Sequence, residues 1–395
     1  MKISVKSNAL TRIFSIARRE CGILRKNPIY GFSMVVFPIA VIVFFTTVLG
    51  EGQPTNMPVG IVDLDNTTTT RALIRQLDGF QTSKVVGYYN SMQEARQAIQ
   101  RNKIYAYLYI PEGTTRELLA SRRPKISFYY SYTSLTSGSL LYRDLKTIST
   151  LGSAAVGKKT MQAKGFTPEQ TMAVLQPIAI DLHPVNNPWV NYNLYLSALL
   201  IPGIIMLFIF LISAYSIGTE LKFKSSHQLM RIAGDDIHVA LLGKLLPHTL
   251  IFLTVTYGYL WYLFGFLHFP HQGSVWMLLL LGFLAVVSSQ SFGVFAFGLF
   301  PSLRMSMSIC SLWAMLSFTV SGFTFPLRAM DGAFQTAAQL FPLRHFFMIY
   351  QMCCFNGYPW HLAWFNFMAM GIFIILPLFV MRNIKRAMLE YVYIP

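Results

Sequence analysis

Few residues in this chain have the type and spacing for chemistry. Gly152-Ser-Ala-Ala-Val-Gly157-Lys158-Lys159-Thr160 approaches the phosphate cradle GxxxxGK[ST]. In that motif backbone amides and a lysine hold the phosphates, and a hydroxyl holds magnesium. Here position 159 is lysine where the hydroxyl belongs, and no strand precedes the run. Small residues on a long helix explain it better. His268 and His271 stand at metal-ligand spacing, but no carboxylate or thiol in sequence completes a site, so they read as residues of an interfacial turn. Asp63 and Asp65 resemble a catalytic carboxylate pair, yet Asp65-Asn66-Thr67-Thr68 is a turn and helix cap after a strand. The four cysteines Cys21, Cys310, Cys353 and Cys354 show no metal spacing, and none lies in 50–190, where an exported domain would place a disulfide. No Ser/His/Asp or Cys/His arrangement is present. The residues therefore predict no catalytic site and no metal site.

The elements that would position any site are mostly apolar. Hydrophobic residues make up 54% of the chain and charged residues 12%, about half the charged share of a soluble domain. Several uncharged runs near twenty residues long predict a polytopic membrane protein. The net charge of +16 is not a nucleic-acid patch. Arg12, Arg18, Arg19, Arg25 and Lys26 precede the first apolar run, and Arg382, Lys385 and Arg386 follow the last. That is the flanking charge of the positive-inside rule. No span centre carries an ionisable residue of the kind that relays protons or ions, so a proton or sodium gradient is not the expected energy source.

In chain order, 7–27 reads as an amphipathic helix. Leu10, Ile13, Phe14, Ala17, Cys21 and Leu24 form an apolar stripe, with Arg12, Arg18, Arg19 and Arg25 off it. This pattern predicts a helix lying in the membrane interface. Asn27-Pro28 ends it. The first span is expected over 31–49, kinked at Pro38. Seven Lys/Arg residues before it place the N-terminus in the cytoplasm. The polar segment 50–190 alternates strand and helix signals, which predicts an α/β domain outside the cytoplasm. Its strands are expected near 59–63, 84–89, 104–110, 125–132 and 176–183. Its helices are expected over 70–77, 91–101 (with a Ser91/Glu94 capping box), 115–120 and 133–164. Further spans are expected near 195–217, 239–266, 276–300, 305–325 and 362–381. Between the second and third, 216–248 reads as a water-facing loop carrying Glu220, Lys222, Lys224, Arg231, Asp235, Asp236 and Lys244. The stretch 321–360 mixes Gly322, Pro326, Pro342 and Gly357 with short apolar pieces, as a hairpin dipping into the outer leaflet would.

Four pieces, in order and between the right spans, resemble one family. They are Ala17-Arg-Arg-Glu20…Leu24-Arg-Lys-Asn-Pro28; Pro58-Val-Gly-Ile-Val-Asp-Leu-Asp-Asn66 with Gln93-Glu-Ala-Arg96 and Tyr107-Leu-Tyr-Ile-Pro-Glu-Gly113; Gly218-Thr-Glu220…Leu229…Leu242-Gly-Lys-Leu-Leu-Pro247; and Ser321-Gly-Phe-Thr-Phe-Pro326…Met330…Phe341-Pro342…Asn356-Gly357. Together they are similar to permease subunits of type-2 ABC exporters that carry a large extracytoplasmic domain between the first two spans. The chain departs from that pattern at Ala214-Tyr-Ser-Ile217, at Ala233-Gly234 and at Gln351.

The resemblance implies a fold of six transmembrane helices: an elbow helix over 1–28, the first span over 29–49, the α/β domain over 50–190 and a permease core over 191–395. Within that core it implies a coupling segment over 218–236 and an outer re-entrant hairpin over 321–360. It implies a bacterial inner-membrane protein with both termini cytoplasmic, paired with a second copy or a paralogue. A separate ABC ATPase carrying ATP and magnesium would dock on the coupling segment through Thr219, Glu220, Lys222, Lys224, Leu229 and Arg231. This chain itself would bind no cofactor. The path would lie between the two permeases, lined from the second and fifth spans by Phe208, Tyr215, Met315 and Phe318. Gly322, Pro326 and Pro342 would shape the hairpin. Adaptable Met and Phe surfaces suit a lipophilic drug or a lipid. The exported domain would meet a periplasmic adaptor or shield the exit. Two rivals remain at this point: a membrane receptor or scaffold whose α/β domain binds an external partner, and a lipid-modifying enzyme built on Asp331, Arg328 and Arg344.

Overall fold

The computed structural model of the protein describes residues 8–120, 122, 124–175, 183, 187 and 190–390. The chain divides into two compact units, Met1–Gly50 with Asn191–Pro395, and Glu51–Val190.

The first unit opens with an entry helix, Ala9–Lys26, whose last turn carries Arg25 and Lys26 against the helix dipole. Its apolar residues do not form the single lipid-facing stripe expected. Leu10, Phe14 and Cys21 are exposed, while Ile16, Ala17 and Glu20 are buried. The cause is a close neighbour, the helix Ile237–Trp261. A Cβ on Gly243 would lie 2.8 Å from the Ile16 Cβ and 2.9 Å from the Ile13 carbonyl oxygen, so only glycine allows this approach. Asn27 ends the entry helix and caps the next, accepting from the Ile29 amide at 3.0 Å.

Among the described residues six helical stretches are long and apolar enough to cross a membrane: Pro28–Val48, Tyr192–Lys222, Ile237–Phe266, Val275–Leu299, Leu303–Val320 and Trp360–Glu390. In hydrocarbon every backbone group must bond within its own segment, and a helix achieves this. The first span widens to a π-turn over Phe32–Val36 just before Pro38, which absorbs the donor that proline lacks.

Two boundaries differ from expectation. The second span continues as helix to Lys222 and the third begins at Ile237. The water-facing connection is therefore far shorter than 216–248, and Glu220 and Lys244 belong to the ends of spans. A short loop helix, Ser226–Ala233, fills the connection and ends at Gly234. The fifth span stops at Val320, because the chain turns at Gly322 with φ +87. Short helices follow, including Gly332–Ala337 and Pro342–Ile349. The turn after the third span is tied to this segment: the Gln272 and Gly273 amides donate to the Cys354 carbonyl at 3.1 and 2.9 Å.

The second unit holds a four-stranded sheet in the order β2-β1-β3-β4, with β1 Met57–Asp63, β2 Ser83–Tyr88, β3 Ala106–Ile110 and β4 Ser127–Tyr130. β1 pairs in parallel with β2 and β3, and β4 is antiparallel to β3. One face buries Val59, Ile61, Ala106 and Leu108 with Ile74, Leu77, Leu141 and Leu145 from the helices Thr68–Asp78 and Leu135–Ala163. The other packs Val62 and Tyr107 on Ala95 and Ala98 of Met92–Gln100. Ser91 caps that helix as expected, but Glu94 reaches back to the Asn90 amide rather than to Ser91. A helix at Pro168–Leu175 was not anticipated. The expected last strand lies largely outside the described residues.

Candidate functional site

The features that first suggested chemistry have structural roles. Asp63 accepts from the Asp65 and Asn66 amides and from the Thr70 hydroxyl. Asp65 accepts from the Thr115 amide and hydroxyl, and the hydroxyl contact is the main force holding its carboxyl below the usual value. Gly152 to Thr160 lie inside the helix Leu135–Ala163, not in a loop that could cradle phosphate. His268 and His271 each turn a ring nitrogen to a carbonyl of their own turn, at 2.8 and 3.1 Å.

The unusual chemistry lies where the entry helix meets the second and third spans. Glu220, in the last turn of its helix, is 2% exposed. Arg19 grips it with both guanidinium nitrogens, Nη1 to Oε1 at 2.8 Å and Nη2 to Oε2 at 2.9 Å. A bidentate pair of this kind fixes direction as well as distance. The Ser225 hydroxyl donates to Oε2 from the start of the loop. Lys244, 1% exposed, bridges two carboxylates, donating to Glu220 Oε1 and to Glu20 Oε2 at 2.8 Å each. His248 Nε2 stands 3.0 Å from the other Glu20 oxygen. A carboxylate can only accept, so Nε2 carries the proton. Nδ1 is buried without a hydrogen-bond partner among the described residues, which suits the neutral ring.

The cluster therefore balances two cations against two carboxylates. Burial works to raise the Glu20 carboxyl, but the His248 hydrogen bond and the Lys244 charge prevail and hold it below the usual value. The hydrogen bond to Glu220 raises the Arg19 guanidinium further, against its burial.

Local sequence explains each placement. Ile13, Ile16, Ala17 and Glu20 recur at helical spacing, so the acid lies on the face that meets the third span. Lys244 and His248 are one turn apart on the facing helix. Around the cluster, Tyr30 packs edge-on against His248 and Tyr215, with ring centroids 5.5 Å apart in each case. Its hydroxyl is 3.5 Å from that of Thr219. The entry helix also holds the loop helix, since Arg12 Nη1 donates to the Ala233 carbonyl at 3.0 Å. Leu229, Met230 and Ala233 are buried in a core shared with Ile16, Ile217, Ile237 and Met388.

The expected coupling residues thus separate. Thr219, Glu220 and Leu229 face inward, while Lys222, Lys224 and Arg231 are exposed. Phe223, 68% exposed between two lysines, and His227 share that surface and were not singled out from sequence. Arg19, Glu20 and Lys244 were read from sequence only as flanking, motif and loop residues, and neither they nor His248 were expected to form a site. The available signal was an acid within an otherwise apolar helical face.

The four expected path residues do not converge within one chain. Phe208 packs on Phe37 at 4.6 Å between centroids and Tyr215 on Tyr30, both toward the first span. Phe318 lies on Gly203 of the second span. Met315 is 64% exposed. In the following segment, Pro342 opens its helix and Pro326 precedes a single 3-10 turn.

A family model described as ABC-2 family transporter protein matches residues 29–381. Comparison with curated proteins yields no match.

Proposed function

Because the chain belongs to the ABC-2 family of transporter proteins, we propose that it is the permease subunit of an ATP-driven exporter for lipophilic small molecules or lipids. It is a multi-pass membrane protein whose family implies an ABC ATPase as partner. On this reading the ATPase docks from the cytoplasm on the exposed surface of the loop helix and the residues leading into it, through Lys222, Phe223, Lys224, His227 and Arg231. Thr219, Glu220 and Leu229 act from beneath that face.

The observation that carries the proposal is the buried cluster. A push on the loop helix reaches the second span through Ser225 and Glu220, and the third span through Lys244. The entry helix follows through Arg19, Glu20 and Arg12. A buried ionic network adds little net stability compared with well-packed apolar residues. What it supplies here is a fixed register, so that the loop helix, the entry helix and two spans move as one body. Two permeases, identical or paralogous, enclose the path, with Met315 and Phe318 facing it from the fifth span. The second unit stands outside the cytoplasm of a bacterial inner membrane and meets an adaptor or shields the exit.

The test is reconstitution of the chain with the ATPase that co-purifies with it, in vesicles loaded with a panel of lipophilic dyes and fluorescent lipids. ATP-dependent movement of at least one probe is expected. Hydrolysis with no movement of any probe sinks the exporter reading.

A further inference from the structure

Among the described residues, Arg344 is a cation without a counterion. It lies on the helix Pro342–Ile349, partly buried, and its Nη1 donates to the Ser321 carbonyl at 2.8 Å, just past the end of the fifth span. Among the described residues it forms no ion pair. Asp331 is the sole acid in the sequence between Asp236 and Glu390. Its Oδ1 accepts from the Ala333 amide at 3.0 Å, capping its own helix. A guanidinium carries five N–H donors, and the Ser321 carbonyl uses one. A helix C-terminus presents only about half an elementary charge, so it answers part of a full cation.

The chain is shaped around this group. Gly322 has φ +87, and a Cβ there would lie 2.8 Å from Arg344 Nη1. The next residue is pinned: Phe323 stacks on Tyr195 with centroids 4.1 Å apart, and the Tyr195 hydroxyl donates to the Phe323 carbonyl at 2.6 Å. The same segment exposes Phe325, Phe334 and Leu340. A partly desolvated cation is costly unless an anion meets it, and a planar guanidinium meets oxyanions with two parallel hydrogen bonds.

We propose that Arg344 binds the anionic head of an amphiphile, through phosphate, sulfate or carboxylate oxygens, while the apolar part lies against the exposed apolar side chains of the same segment. Two sources share this chemistry: a resident anionic lipid, and an anionic amphiphile on its way out. The second deepens the exporter reading by naming a substrate class and rests on it; the binding site itself does not.

The full-length chain, purified and stripped of lipid in detergent, is titrated with dihexanoyl phosphatidylglycerol, dihexanoyl phosphatidylcholine and inorganic phosphate, with melting temperature as readout. Phosphatidylglycerol is expected to raise it, with phosphatidylcholine and phosphate doing so far less. Arg344→Gln is expected to weaken the apparent affinity for phosphatidylglycerol about tenfold, the scale of one charge-assisted hydrogen bond. Arg344→Lys should keep a weakened response, which separates binding from folding. Arg328→Gln removes an exposed charge from the same segment and should leave the response intact. Equal responses to the two lipids overturn the site, as does equal loss in Arg328→Gln and Arg344→Gln.

Mass spectrometry of the mildly purified protein separates the sources. Bound phosphatidylglycerol lost in Arg344→Gln identifies a resident lipid. Equal lipid content alongside a weakened titration identifies an exchanging ligand. No ATPase takes part, so this test and that of the exporter reading fail independently.

Discussion

At the scale of the residue, Lys244 holds the cluster together. It neutralises Glu20 and Glu220 together, so Lys244→Met leaves two buried carboxylates short of a charge. The expected loss is about 3–5 kcal/mol, read as a lower melting temperature in detergent. Arg19→Gln should cost less, about 1–3 kcal/mol, because Lys244 and Ser225 still hold Glu220 and Arg19 is 17% exposed. Glu20 adds a pH dependence. Its folded-state carboxyl lies below the ordinary 4.5, so its stabilisation is fully present above that pH and is lost as pH falls below it. Melting of the wild type should therefore decline more steeply below pH 4.5 than that of Glu20→Gln. Parallel curves would contradict the pairing.

The charges were legible in the sequence, but their partners were not. Glu220 stood out as the first acid after an uncharged run, and the charged stretch it opens suggested a water-facing loop. The structure turns it inward because its helix continues to Lys222 and Arg19, 201 residues earlier, meets it. Contacts at that separation leave no local periodicity to read. Lys244 and His248 at one-turn spacing were visible, but the facing Glu20 was masked by the arginines around it.

At the scale of the element, the entry helix and the third span are set by their closest approach at Gly243. Gly243→Leu should force them apart, costing about 1–3 kcal/mol by overpacking. The freed entry helix should then be cut faster by trypsin at Arg18 and Arg25. An unchanged cleavage rate would show that this packing does not hold the helix. Spans and strands were largely readable, because membrane length and period-two alternation are local signals. Boundaries were less so. The second span carries its helix past the last uncharged residue, since the cluster satisfies Glu220 inside the protein. The fifth span ends early because Gly322 takes a left-handed backbone conformation, which hydropathy does not signal.

At the scale of the whole molecule, the chain folds as two units. The spanning unit carries the cluster and the loop helix, and the second unit is a sheet domain with its own core. In the proposed function, a separate ATPase drives the spanning unit through the exposed surface of the loop helix and the residues leading into it. The most direct measurement is purification of the tagged chain in mild detergent, with the eluate assayed for ATP hydrolysis. A double variant, Lys224→Glu with Arg231→Glu, is carried in parallel. Both residues are exposed and lie outside the buried cluster, so the fold should survive. The account predicts that ATPase activity co-purifies with the wild type and is lost from the double variant, with melting temperature unchanged. No ATP hydrolysis in several detergents and in lipid discs, or full hydrolysis retained by the double variant, would contradict it.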